Sequence, residues 1–205
     1  MKRLYIALAC TLFLLFSMLQ LVAEQRADER IKLDPDTPSH EIIRMHPSKV
    51  DPSNLPLNSI DELHTTGTTP DIDITTWTLS VGGKAVSKPL SLKYEDLLEM
   101  NMITQKALLI CPNFFADYAE WEGIPLKDIL KEANVKSDYT KVDIQAVDGY
   151  RKSFTREEID SHLLFIALKV NGEVLPEDHG YPVRLVAVDI YGGDWVKWID
   201  VIEVD

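Results

Sequence analysis

The stretch Leu175-Pro176-Glu177-Asp178-His179-Gly180-Tyr181-Pro182-Val183-Arg184-Leu185-Val186-Ala187 decides how this chain is read. It sets a histidine and an arginine five residues apart, with a glycine and a proline between them to punctuate turns. The apolar run from Val183 to Val188 then reads as a strand. Arginine presents a planar fork of donors that suits phosphate oxygens, and the histidine adds a donor beside it. Trp195-Val196-Lys197-Trp198 follows, placing a second cation between aromatic rings. Together these residues read as an anion-binding wall.

Working outward, alternation and punctuation set the fold class. Trp77 to Val81 alternates apolar and polar residues, a half-buried strand that Gly82-Gly83 turns. Ser91 is placed to cap a short helix carrying Tyr94, Leu97 and Leu98 on one face. Ala107 to Ile110 is a short apolar run that ends at Cys111-Pro112. Pro125 suits the start of a helix over 126–133 with Leu126, Ile129 and Leu130 inward. Val142, Ile144 and Ala146 alternate again before an Asp148-Gly149 turn, and Thr155-Arg156-Glu157-Glu158 is a capping box. Asn171-Gly172 between 163–170 and Val174-Leu175 is a strong hairpin signal, and Trp195 to Val204 closes the chain as a strand. Short strands with brief helices and no sustained βαβ alternation predict a β-rich α+β domain rather than a dinucleotide-binding sheet.

The N-terminal part reads differently. Met1-Lys2-Arg3 precedes an uncharged run from Leu4 to Ala23, and twenty helical residues span about 30 Å, the thickness of a bilayer core. The run is either an uncleaved signal anchor or a long signal peptide; we take residues 1–23 as the anchor. Lys2 and Arg3 place the N-terminus in the cytoplasm, so the domain faces the extracytoplasmic side of a single-pass cell-membrane protein. Residues 24–70 hold six of the eleven prolines and read as an extended linker that wraps or spaces the domain, which occupies residues 71–205. The formal charge of 21 − 33 = −12 argues against a nucleic-acid surface, which needs a basic patch.

Searches for familiar chemistry return little. His40, His46, His64, His162 and His179 show no H-x-x-x-H spacing, and no C-x-x-C, Walker loop or G-x-S-x-G occurs. Trp121, Trp195 and Trp198 read first as core. Cys10 falls within the apolar run, which leaves Cys111 as the lone thiol of the exported domain. An unpaired thiol in an oxidising compartment needs a reason, such as acting as a nucleophile activated by a nearby cation.

The residues already quoted carry a resemblance. Leu175 to Ala187 with Val196-Lys197-Trp198 resembles the C-terminal signature of the sulfite oxidase-type molybdopterin-binding domain. Ile74 to Gly83 and Pro89 to Leu92 are similar to that family's opening strand and first helix. Leu109-Ile110-Cys111-Pro112 with Trp121 to Leu126 resembles its cysteine loop and following helix. The resemblance covers about residues 60–205 and implies a fold of mixed sheets with short helices. It implies a molybdenum-molybdopterin cofactor whose metal is held by Cys111, a soft thiolate ligand, and Cys111 is accordingly the expected catalytic residue. It further implies cofactor contacts from His64, Asp148, His179, Arg184, Trp195, Val196 and Lys197.

Pro112-Asn113-Phe114-Phe115 departs from the small and basic residues that follow the cysteine in sulfite oxidases. That apolar lip shifts the expected substrate from sulfite toward a neutral S- or N-oxide. The expectation is a membrane-tethered oxidoreductase performing two-electron oxygen-atom transfer on a small substrate, an S- or N-oxide or an oxyanion. No haem C-x-x-C-H motif occurs, so electrons are expected to pass to a partner or a membrane complex. The alternative is a catalytically silent member of the same fold acting as a binding or assembly subunit of a membrane complex.

Overall fold

The computed structural model describes residues 30–205. The expected anchor, residues 1–23, lies outside the described residues, among which no helix is long and apolar enough to cross a membrane. In chain order the first elements are β1 (Ile31–Lys32), α1 (Ser39–Ile42), β2 (Val50–Asp51), β3 (Leu79–Gly82), β4 (Leu90–Leu92) and α2 (Tyr94–Leu98). Then come β5 (Ile103–Cys111), β6 (Phe115–Pro125), α3 (Leu126–Glu132), β7 (Lys141–Ala146), β8 (Arg151–Thr155) and α4 (Arg156–Ser161). The chain closes with β9 (Leu164–Val170), β10 (Glu173–Val174), β11 (Arg184–Ala187) and β12 (Ile199–Val204). This is a β-rich α+β domain of mixed sheets with short helices, as the patterning predicts.

Two five-stranded sheets carry the fold. One is antiparallel: β5 pairs β6, β6 pairs β9, and β9 takes β10 and β11 on its other side. The second runs β4-β3-β12-β7-β8 and is mixed, because β12 and β3 are parallel. A single apolar cluster draws on both, with Leu79, Val81, Ile144, Ile202 and Val204 from the second sheet and Ile124, Phe165, Ile166 and Val186 from the first. Asn171 and Gly172 turn the β9–β10 hairpin with φ of 50° and 81°, the positive pair that such a two-residue turn requires. Leu126, Ile129 and Leu130 of α3 are buried, and Thr155 caps α4 as a capping box.

Two local readings are corrected, and one strand, β6, went unread. Ser91 lies within β4; α2 is instead capped by Lys93, whose backbone N–H donates to the Asp96 carboxylate at 2.8 Å. Trp195 to Trp198 is not strand. Gly192–Asp194 form a 3-10 turn, Trp198 adopts φ 54°, and β12 starts only at Ile199. β6, eleven residues long, carries Asp117, Glu120 and Glu122, which break the apolar alternation that marks a strand.

Of the two roles open to the proline-rich segment, wrapping or spacing, its described part wraps. β1 and β2 form a small parallel ladder, and Leu33, Ile42 and Val50 bury against Leu108, Ile110 and Tyr118 of the β5–β6 hairpin. Ala107 and Leu109 face the main core instead. The run Ala107 to Ile110 is therefore continuously apolar because β5 is buried on both faces. Asn58 pins the strap further: its N–H donates to the Tyr118 carbonyl at 2.8 Å, and its side-chain oxygen accepts from the Tyr118 N–H at 2.9 Å.

Candidate cofactor cleft

The β5–β6 hairpin sets the floor of a cleft. Cys111 pairs directly with Phe115, and Leu109 pairs with Asp117, two rungs deeper. Alternation puts these four side chains on one face of the hairpin. The tip beyond Cys111 is Pro112-Asn113-Phe114, with Asn113 at φ 66° and Phe114 79% exposed. Burial pushes the Cys111 thiol up, and the nearby Asp117 charge adds to the rise. Neither effect activates the thiol as a nucleophile.

His64 closes this end from the strap. Leu63 is buried in the main core, and the next residue turns its backbone N–H to Asp117 at 2.9 Å. The imidazole Nδ1 lies 2.7 Å from the other Asp117 oxygen, and the ring stacks on Phe115 with centroids 4.7 Å apart. Asp117 is the one buried carboxylate among the described residues.

The second end is built from the glycine-punctuated loops around β11. Arg184 is 5% exposed, and its guanidinium lies 4.8 Å from the Trp121 ring centre and 5.8 Å from that of Trp195. One terminal N–H donates to the His179 carbonyl at 3.0 Å, while its Nε is buried with no hydrogen-bond partner. Burial lowers Arg184 to about 10, against a smaller opposing pull from Asp117. Lys197 is held over Trp198, its Nζ 4.1 Å from the ring centre, and donates to the carbonyls of Thr66 at 2.5 Å and Asp178 at 2.9 Å. Burial, with repulsion from Arg184 behind it, lowers Lys197 to about 8. Gly180, at φ 114°, permits this crowding, because a Cβ there would stand 2.9 Å from Arg184 Cβ. Gly192 does likewise beneath the cleft, where a Cβ would meet Leu109 Cδ2 at 2.6 Å.

Two adjoining spaces result. The smaller, about 90 Å³, is lined by His64, Leu109, Cys111, Phe115 and Arg184. The larger, about 270 Å³, is lined by Gly67, Asp148, Tyr150 and Trp198. Thr66, Gly192, Gly193, Trp195 and Lys197 line both, so the two form one cleft.

Most of the residues expected from sequence meet there: Cys111, His64, Arg184, Trp195 and Lys197 line the cleft, with Asp148 at its far end. His179 lies behind Arg184 rather than in the lining; it is buried, and that burial pulls its imidazole below the usual range. Val196 is wholly buried, and the Trp195 and Val196 N–H groups donate to the Gly192 and Asp194 carbonyls within their own turn. Asp117, Thr66 and Tyr150 escaped the sequence reading. Tyr150, whose hydroxyl donates to the Gly193 carbonyl at 2.6 Å, had one available signal, its place beside the Asp148-Gly149 turn.

A soft thiol and, in the same space, a buried guanidinium with an unpartnered N–H suit a soft metal carried on an anionic organic group. The fold and the cleft define a cofactor-dependent redox domain. A family model for the oxidoreductase molybdopterin binding domain matches residues 66–205, and the chain belongs to that family, whose cofactor is molybdenum-molybdopterin. The chain is 28% identical to an uncharacterized oxidoreductase, YuiH, of Bacillus subtilis, over 74% of this chain and 76% of that one. It is 30% identical to the protein-methionine-sulfoxide reductase catalytic subunit MsrP of Gluconobacter oxydans, over 62% of this chain and 46% of the relative. Among solved structures, sulfane dehydrogenase SoxCD from Paracoccus pantotrophus superposes with a TM-score of 0.61 at 27% identity, covering 66% of this chain and 40% of that one. The chain thus spans most of the first relative and less than half of the other two.

The residues present fit the cofactor. Cys111 is a half-buried thiol that faces the cleft, and the buried Arg184 Nε is a donor still lacking an acceptor. Such a donor is costly unless an anion or water completes it.

Proposed function

We propose that this chain is a membrane-tethered molybdopterin oxidoreductase that transfers an oxygen atom to or from a small, neutral S- or N-oxide. The observation that carries the reading is the placement of Cys111 and Arg184 in the same space, thiol and unsatisfied cation together. Cys111 would ligate the molybdenum. Arg184 and Lys197 would hold the cofactor's phosphate, with His179 and the Trp195–Val196 backbone fixing them from behind and Asp148 at the far end. His64 would reach over the metal end. When bound, the cofactor supplies the two-electron oxygen-atom transfer. The protein's share is to place it, balance its charge and limit access.

Substrate charge follows from the lip. Phe115 lines the Cys111 end, Phe114 stands exposed at the hairpin tip, and Asp117 lies two rungs below. With Arg184 and Lys197 taken up by the cofactor's phosphate, a dianion there would meet apolar surface and a buried carboxylate, whereas a neutral oxide loses little solvation. MsrP, a relative named for reducing protein methionine sulfoxide, fits a neutral sulfoxide substrate. Leu4 to Ala23 would tether the domain on the extracytoplasmic side, and electrons would come from a separate carrier or membrane subunit.

The test is the molybdenum and pterin content of protein extracted from its own membrane, beside Cys111→Ser. Near one molybdenum per chain, lost in the variant, is the expected result. Native protein holding neither metal nor pterin would overturn the enzyme reading.

A further inference from the structure

Lys197 ties together two segments that are far apart in the chain. The Glu177–His179 turn offers three successive carbonyls, each taken by a different side chain. Glu177 accepts from Trp198 Nε1 at 2.6 Å, Asp178 from Lys197 Nζ at 2.9 Å and His179 from Arg184 at 3.0 Å. That side is firmly built. The other Lys197 bond, 2.5 Å to the Thr66 carbonyl, goes to a segment of a different kind, residues 65–72.

That segment is anchored at both ends and little held between them. Just ahead of it the His64 N–H donates to Asp117 at 2.9 Å, and at its close Ile72 packs against the main core. Thr65 to Thr69 are exposed, and among the described residues the Lys197 bond is the one hydrogen bond that reaches residues 65–72. Thr66 and Gly67 nevertheless wall the larger part of the cleft, and Thr66 walls both parts. Gly67, at φ 81°, rests on the Trp198 ring, where a Cβ would lie 3.7 Å from Cη2. Trp198 itself is held at φ 54°, a strained region for a bulky residue. Its ring thereby lies against Gly67 and 4.1 Å from Lys197 Nζ.

An ammonium carries three N–H groups. Two of those on Lys197 are spent on carbonyls, and the third has no oxygen or nitrogen partner among the described residues. We propose that residues 65–72 form a lid over the cofactor cleft and that Lys197 is its latch, fixed to the Asp178 carbonyl, closed on the Thr66 carbonyl and free to give its third N–H to an anion in the cleft. An anion there holds the ammonium in place and so tightens the lid over itself. The inference rests on the reading that Lys197 meets the cofactor's phosphate, and the experiment separates the failure of one from the failure of the other.

The full chain is prepared in detergent, with cofactor and free of it, as wild type, Lys197→Met and Gly67→Ala. Brief digestion with proteinase K, with cut sites assigned by mass spectrometry, gives the rate of cleavage within residues 65–72. Release of pterin from the loaded protein is followed by fluorescence. Cleavage of a briefly opened segment follows its open population. Cofactor-free Lys197→Met is expected to be cut within 65–72 about tenfold faster than cofactor-free wild type, the scale of one lost hydrogen bond from a charged donor. Cutting elsewhere stays unchanged. Bound cofactor slows cleavage of the wild-type lid about tenfold, because the latch gains a charge-assisted partner. Gly67→Ala keeps the lysine but sets a Cβ at a left-handed φ, so its lid is cut several-fold faster and its pterin leaves several-fold faster. Should Lys197→Met fail to fold, Gly67→Ala and the two wild-type forms decide.

The proposal is overturned if Lys197→Met folds and is cut within about twofold of wild type, or if bound cofactor leaves the wild-type rate unchanged. It is equally overturned if Gly67→Ala releases pterin no faster than wild type, which would make residues 65–72 a surface loop that closes nothing. Pterin-bearing protein that fails any of these tests overturns the lid and leaves the cofactor reading standing. Wild type taken from its own membrane without molybdenum or pterin overturns the cofactor reading and takes this inference with it.

Discussion

At the cation end of the cleft, His179, Arg184, Trp195, Lys197 and Trp198 come from one stretch of chain, turned on itself by Gly180 and by the 3-10 turn at Gly192–Asp194. At the Cys111 end, the thiol sits on a hairpin, Asp117 lies across from it on β6, and His64 arrives from a strap fifty-three residues before Asp117. The first end is local in sequence and electrostatically strained: two cations are packed together, both pulled down by burial. The second end is non-local and internally balanced, a carboxylate answered by an imidazole. The strained end is poised to gain from an anion. At the Cys111 end the buried carboxylate is already held by His64 through two hydrogen bonds, so this end presents a thiol and a ring in fixed places.

The largest effects fall at the Cys111 end. Cys111→Ser is expected to lower turnover by roughly a thousandfold or more, because loss of groups that merely support a metal ligand already costs about 10–100-fold. Elemental analysis beside the assay checks it, and full molybdenum in the variant would break the contrast drawn between the ends. Leu33→Ala tests whether the strap holds that end in place. Leu33 is 2% exposed against the hairpin's outer face, so denaturant unfolding is expected to show a loss of about 2–4 kcal/mol. A loss under about 0.5 kcal/mol would mean that the strap is only draped there.

The same contrast explains what could be read in advance. The cation end was legible because its residue types lie in one short run, with glycine and proline marking the turns between them. Cys111 was legible as a lone thiol at a strand end. The His64–Asp117 pair was not, since nothing in either neighbourhood refers to the other. β6 hid for a related reason: its charged side chains at 117, 120 and 122 are carried on a strand that is otherwise largely buried, and those at 117 and 122 find a use only in three dimensions. Asp117 holds His64, Glu122 accepts from Lys169 at 2.8 Å, and the Glu120 backbone exchanges hydrogen bonds with Asn171. Residues 30–70 concealed their packing because the apolar residues that anchor them, Leu33, Ile42, Val50 and Leu63, are too widely spaced to show a period.

At the cation end, function and stability should oppose one another. Arg184→Met removes a buried cation whose Nε has no partner and leaves a side chain of similar length against Trp121 and Trp195. Replacing buried ionic groups with apolar ones is often neutral or stabilising by about 1–4 kcal/mol. The lost hydrogen bond to the His179 carbonyl offsets about 1 kcal/mol of that. Cofactor-free, the variant is therefore expected to melt no lower than wild type; prepared as holoenzyme, it is expected to retain about tenfold less molybdenum. A variant that melts well below wild type would show that the guanidinium stabilises the empty fold and that the strain inferred here is absent.

Lys197 gives the smallest and most diagnostic effect. Its folded value of about 8 lies below the ordinary 10.5 of an unfolded lysine. Between those values the unfolded chain holds a proton that the folded chain has released, so stability rises with pH across that window. Below about pH 8 both states are protonated and the penalty is present in full. The cofactor-free wild type should therefore gain on Lys197→Met as pH moves from about 7.5 to 9.5, by roughly 1–2 °C in Tm once partial exposure is allowed for. Taking the difference between the two proteins removes the Cys111 thiol, which is raised and works in the opposite direction. An anion beside Lys197 would restore its proton affinity, so the slope should flatten in the cofactor-loaded protein. A slope equally steep in both forms would mean that the lysine does not meet the cofactor, and the cation end would then be Arg184 alone.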